Sequence, residues 1–95
     1  MSAFVILDLM IHDPKEIIEY QKLAPASIAA YNGKFIARGG NFTTLEGDWQ
    51  PGRIVVLEFP SVEKAKEWWA SEAYAPAKNI RQSASYTKMI VVEGF

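Results

Sequence analysis

Residues 34–60 read KFIARGGNFTTLEGDWQPGRIVVLEFP, and their periodicity decides the fold. Phe35–Arg38 and Arg53–Phe59 are strand-like runs flanking a stretch rich in Gly, Asn, Asp and Pro, so they form two arms of a hairpin. Gly39-Gly40 marks a bulge or bend, after which the first arm is expected to resume over Phe42–Glu46 and to turn at Gly47–Gly52. The second arm is rich in β-branched residues and apolar on both faces except at Glu58, which places it inside a sheet. Arg38, Glu46, Arg53 and Glu58 make the same stretch unusually charged for a sheet.

Working outward, Ala3–Ile11 is a further strand, apolar on both alternating faces except at Asp8. Asp13, Pro14 and Glu16 read as the N-cap, first residue and capping-box acid of a helix. Ile17, Tyr20, Ala24, Ile28 and Tyr31 recur at helical spacing on its sheet-facing side, and Asn32-Gly33 ends it. Pro25 removes a backbone donor, which predicts a kink or break near Ala24. After Pro60, Ser61 caps a second helix with Val62, Ala65 and Trp69 inward, leaving Trp68 at a subunit boundary or over a cleft. A break before Pro76 precedes a short helix to about Gln82, edged by Ala77, Ile80 and Ala84, and Tyr86–Glu93 is the last strand.

The order β-α-β-β-α-β with a split second helix, and two doubly covered strands at the centre, predicts a ferredoxin-like α+β fold. Its antiparallel four-stranded sheet has order 4-1-3-2, with the helices on one face. The other face, left apolar, is the expected surface of a homodimer. The whole of residues 1–95 is read as one domain, of a size that buries roughly 65% of its unfolded surface.

Ten basic against eleven acidic residues give a net charge of −1 without a basic cluster, which argues against nucleic acid as a partner. With no cysteine, disulfides, thiolate metal sites and Cys nucleophiles are excluded. The apolar run at the amino terminus is short and interrupted by Asp8, so neither a membrane span nor a secretory leader is expected, and the protein is read as soluble and cytoplasmic. No glycine-rich phosphate loop, zinc-protease helix or nucleophile elbow is present, and the single His12 sits beside a helix cap, so neither a metal nor an organic cofactor is expected.

The chemistry-bearing candidates are few. Asp8 and Glu58 lie in apolar strands, where a carboxylate must be paired, hydrogen-bonded or held neutral; each is a structural ion-pair member or a general base. Arg38, Arg53 and Arg81, the complete set of arginines, either pair with Glu46, Glu58 and Asp8 or offer a forked guanidinium to an anion. Tyr20, Tyr31 and Tyr74 can bring phenols to the helix–sheet cleft, and Lys78 lies close to Arg81 on the last helix.

The segments GKFIARGG, LEG, RIVVLEFPS, IRQSAS and IVVEG, in this order and spacing, resemble the family known as domain of unknown function 1330, of the dimeric α+β barrel superfamily. Its motif positions include Tyr31, Arg38, Glu46, Arg53, Glu58, Tyr74, Lys78 and Arg81, and Pro76 departs from its usual pattern between Tyr74 and Lys78. The resemblance implies a dimer but no settled activity; superfamily relatives include cofactor-independent monooxygenases, lactone isomerases and haem-handling enzymes, the last least compatible with a lone histidine.

Two functional readings result. In one, the dimer is an enzyme without cofactor, an isomerase or monooxygenase-like catalyst, whose cleft takes a small organic acid or an enolic or aromatic compound. Arg38 or Arg81 would fix the anion, with Arg53, Tyr31 and Lys78 lining the site. Glu58 or Asp8 would move a proton, and Tyr74 would bind the developing oxyanion. In the other, a non-catalytic dimer binds a metabolite or a protein, and its arginines and glutamates form a structural network.

Overall fold

A computed structural model describes residues 1–95 as four strands and three helices. Strand β1 spans Ala3–Ile11, helix α1 Pro14–Ala30, β2 Lys34–Arg38, β3 Arg53–Phe59, α2 Val62–Ala70, α3 Ala75–Ala84 and β4 Ser85–Glu93. The sheet is antiparallel, in the order β2-β3-β1-β4, and the fold is ferredoxin-like. Strand alternation then does the sorting. Val5, Leu7 and Leu9 of β1 join Val55, Leu57 and Phe59 of β3 on the face that the helices cover. Phe4, Ile6, Asp8, Ile54, Val56, Glu58, Lys88 and Ile90 point from the opposite, uncovered face.

Local chemistry sets the helix ends. Asp13 accepts the backbone N–H of Glu16 at 3.1 Å, and Ser61 accepts that of Lys64 at the same distance. Asn32 takes a left-handed φ of 62° after α1, letting Gly33 N–H donate to the Ile28 carbonyl at 2.9 Å. The break between α2 and α3 is held by Ser71, whose Oγ donates to the Trp68 carbonyl at 2.7 Å and accepts the N–H of Tyr74 at 3.1 Å.

Three expectations are corrected. Phe42–Glu46 is not a strand: β2 ends at Arg38, Gly39 turns to a φ of 71°, and residues 41–50 run exposed as a loop. The expected bend is present at Gly39, and a bulge lies at Ile36, where the β2–β3 register shifts between Phe35 and Ala37. The tryptophans exchange roles: Trp68 is fully buried three residues after buried Ala65, while Trp69 is 46% exposed. Ala65 sets the phase of the inward stripe, and burying Trp68 lets its indole N–H donate to Ser27 Oγ at 3.2 Å. Finally, α1 does not break at Pro25, and the carbonyl that the proline leaves without a donor, that of Gln21, receives Arg38 Nη2 at 3.3 Å.

Candidate functional site

Helix α3 buries Ala77, Arg81 and Ala84 along one face. Four residues one way and three the other bring Arg81 into line with two alanines, and their small side chains leave room for a guanidinium among them. Arg81 is only 4% exposed, and its Nε donates to the hydroxyl of Tyr74 at 3.2 Å. The Tyr74 hydroxyl meets that of Tyr20 at 3.0 Å, so a hydrogen-bonded chain runs from α3 through the α2–α3 turn to α1. Tyr74 is wedged on its other side against Trp68, with ring centres 4.1 Å apart. Burial, reinforced by the neighbouring Tyr74 hydroxyl, pushes the Tyr20 phenol well above its ordinary range and keeps it protonated; Arg81 opposes this only in part.

The Arg81 guanidinium has no carboxylate within ion-pairing distance. Every fully enclosed polar side-chain atom in the molecule has a partner, whereas the two terminal nitrogens of Arg81 have none, so those nitrogens reach open space. That space is a cleft of about 380 Å³ between α2, α3 and β4. Val5, Ala65, Trp68, Met89 and Val91 give it an apolar wall, and Lys66, Gln82 and Thr87 join Arg81 as its polar members. An ion buried against apolar walls with its strongest donors unused is the arrangement that a ligand oxyanion completes.

The other candidates fall elsewhere. Asp8 and Glu58 both point from the uncovered face of the sheet rather than into the helix–sheet layer. Asp8 accepts the N–H of Gly52 at 2.9 Å and the indole N–H of Trp49 at 3.0 Å, anchoring the 39–52 loop, and Glu58 pairs with Lys34 at 3.4 Å. The two acids are four positions apart along β1, opposite Ile54 and Phe4 respectively. Arg38 and Arg53 line a second, much smaller pocket between α1 and the β2–β3 pair, on the far side of Tyr20. Tyr31 ends α1 with Lys64 Nζ 5.8 Å above its ring. Lys78 caps the α2 end, donating to the Trp69 carbonyl at 2.9 Å and lying 3.9 Å from that ring's centre.

The expected pairing of Arg38, Arg53 and Arg81 with Glu46, Glu58 and Asp8 is therefore absent: all three ion pairs in the structure use lysine. The acids found nearer partners, an amide and an indole for Asp8 and a cross-strand lysine for Glu58. Sequence reasoning placed Tyr20 and Arg81 among the candidates and gave Trp68 a place over a cleft as one alternative, but missed Gln82, Thr87 and Met89. For Thr87 and Met89 a signal existed, since alternation along β4 puts them on the same face as Ser85 and Val91. No three His, Asp or Glu side chains converge as metal ligands would, and no helix is long and apolar enough to cross a membrane.

The same fold recurs in solved structures. A protein of unknown function from Rhodopseudomonas palustris superposes with a TM-score of 0.77 at 18% identity, over 99% of this chain and 82% of that one. A dimeric ferredoxin-like protein of unknown function from Jannaschia sp. CCS1 gives 0.73 at 8% identity, over 99% and 100%. SnoaB, a cofactor-independent oxygenase from Streptomyces nogalater, gives 0.67 at 13% identity, over 99% and 93%. No curated protein matches the chain in sequence. A family profile described as a domain of unknown function, DUF1330, matches residues 2–95, and the chain belongs to that family.

Proposed function

We propose that this member of the DUF1330 family binds a small planar organic anion, an aromatic carboxylate or an enolate, in the cleft between α2, α3 and β4. The observation that carries the reading is Arg81: buried, free of any carboxylate, and facing an apolar cleft of a size suited to one small molecule. Its terminal N–H groups would hold the oxyanion by a fork of two hydrogen bonds. Tyr74, anchored on Nε, fixes the plane of that fork, and Trp68 with Met89 supplies the surface for a ring.

A homodimer through the uncovered sheet face belongs to the same proposal. Ile90 is 61% exposed there and Tyr86 77%, beside Phe4, Ile6, Ile54 and Val56, and the Jannaschia protein of this fold is dimeric.

Catalysis is a second reading, favoured by the same guanidinium. A cation that stabilises an enolate lowers the barrier to forming it, as isomerisation or cofactor-independent oxygenation requires, and SnoaB carries the latter description on this fold. The cleft lining contains no carboxylate or histidine, so a substrate that ionises readily by itself suits it best.

Calorimetric titration with a panel of aromatic carboxylates and acidic enols tests the binding. At least one should saturate, and Arg81→Gln should weaken it about 10- to 100-fold, the equivalent of roughly 1.5–3 kcal/mol for hydrogen bonds to a charged group. Equal affinity of wild type and a folded Arg81→Gln variant, or no saturation by any compound, would overturn the reading. Oxygen uptake with the enolic ligands separates catalyst from binder.

A further inference from the structure

We infer that Arg38 and Arg53 form a second oxyanion site, distinct from the Arg81 cleft, at the mouth of the pocket between α1, β2 and β3. Arg38 and Arg53 both line that pocket, together with Gln21 and Phe35. Each is held by structure rather than by charge. Arg38 lies over the Phe35 ring, 4.4 Å from its centre, and donates Nη2 to the Gln21 carbonyl at 3.3 Å. That carbonyl is available because Pro25, four residues on, has no N–H to give it. Arg53 donates Nη2 to the Arg38 carbonyl at 3.4 Å, and its guanidinium occupies the place that a Cβ at position 39 would take. Gly39 is thus favoured by its φ of 71°, and its missing Cβ leaves the space in which the Arg53 guanidinium lies.

Each group uses one of its five N–H donors on protein, always on a backbone carbonyl, and neither meets a carboxylate. No acid lines this pocket, and Glu19 on α1 pairs with Lys22. Two like charges oriented into one mouth repel each other, and an anion between them reverses the sign of that interaction. The space beneath them is only about 20 Å³ and its floor is apolar, with Leu9, Ile17, Val55 and Leu57, so the anion sits at the mouth and is not swallowed. A compact doubly charged oxyanion, a phosphate group or a pair of carboxylates, fits two forked donors in this setting.

The test uses inorganic phosphate and succinate as separate probes, titrated calorimetrically at low ionic strength into wild type, Arg38→Gln, Arg53→Gln and Arg81→Gln. Saturable binding of either probe is expected, weakened at least tenfold by Arg38→Gln and by Arg53→Gln and changed less than twofold by Arg81→Gln. Whichever probe binds more tightly names the source chemistry. Failure of both probes to saturate, or binding that survives both Arg38→Gln and Arg53→Gln, or that vanishes only with Arg81→Gln, would overturn the site. The last result would leave the cleft proposal standing, so the two fail separately.

Discussion

Tyr20 shows how one phenol reports on the interior. Its hydroxyl is buried against Tyr74, and its pKa is raised above the ordinary value of 10.0, chiefly by burial. The unfolded chain releases this proton near pH 10 while the folded chain keeps it. The folded state therefore binds more protons above that pH, and stability is full below about pH 10 and lost as pH rises beyond it. Tyr20→Phe should flatten the alkaline limb of stability measured by urea unfolding between pH 8 and 11. An unchanged limb would mean that the phenol is not confined as described. Arg81 carries the opposite lesson: Ala77, Ile80 and Ala84 marked the apolar edge of its helix, but nothing in the sequence said that the guanidinium beside them is buried with the two alanines.

Elements are joined here by side chains as much as by backbone. Ser71 ties the end of α2 to the start of α3, and this turn sets Tyr74 under Arg81. Ser71→Ala removes both hydrogen bonds and should lower the unfolding midpoint by the equivalent of about 1–2 kcal/mol without altering the denaturant slope. A loss within error would show the turn to be held by packing alone. The split of this helical segment was legible beforehand, but not its place: the residue preceding Pro76, Ala75, is helical, and the chain breaks at Ser71, whose backbone is extended. Which tryptophan faces inward was not: two adjacent aromatics differ by about 100° on a helix, and the choice rests on where Ala65 meets the sheet. The loop after β2 escaped for a related reason. Phe42–Glu46 has strand-like composition, but Gly39 turns it away from the ladder, and β propensity without a partner makes no strand.

At the scale of the whole molecule, all three helices lie on one face of the sheet and the other is left bare, so the proposed homodimer has a natural test. Ile6 is central on the bare face, opposite Val56 on one side and Ile90 on the other, and does not line the cleft. Ile6→Glu should leave the monomer folded by circular dichroism yet weaken self-association at least 100-fold, roughly 3 kcal/mol, since the interface would bury two unpaired carboxylates. Sedimentation equilibrium measures it. A wild-type monomer, or a variant that dimerises as tightly, would refute sheet-face pairing. The same two-layer arrangement accounts for the separation of the acids from the arginines. Helix-facing and outward positions alternate along the strands, so Asp8 and Glu58 go to one side and Arg38 and Arg53 to the other, the side on which α3 carries Arg81.

From its sequence alone this chain declared the core of its four strands and its helix starts, because those follow from local periodicity and backbone preference acting over a few residues, and the order and spacing of its motif segments declared its family. It also declared which residues carry charge. Only the tertiary structure decided which charges meet, since pairing depends on facing, bulges and loop paths that bring distant residues together. There Asp8 and Glu58 found amide, indole and lysine partners, while all three arginines were left without a carboxylate and line two separate openings.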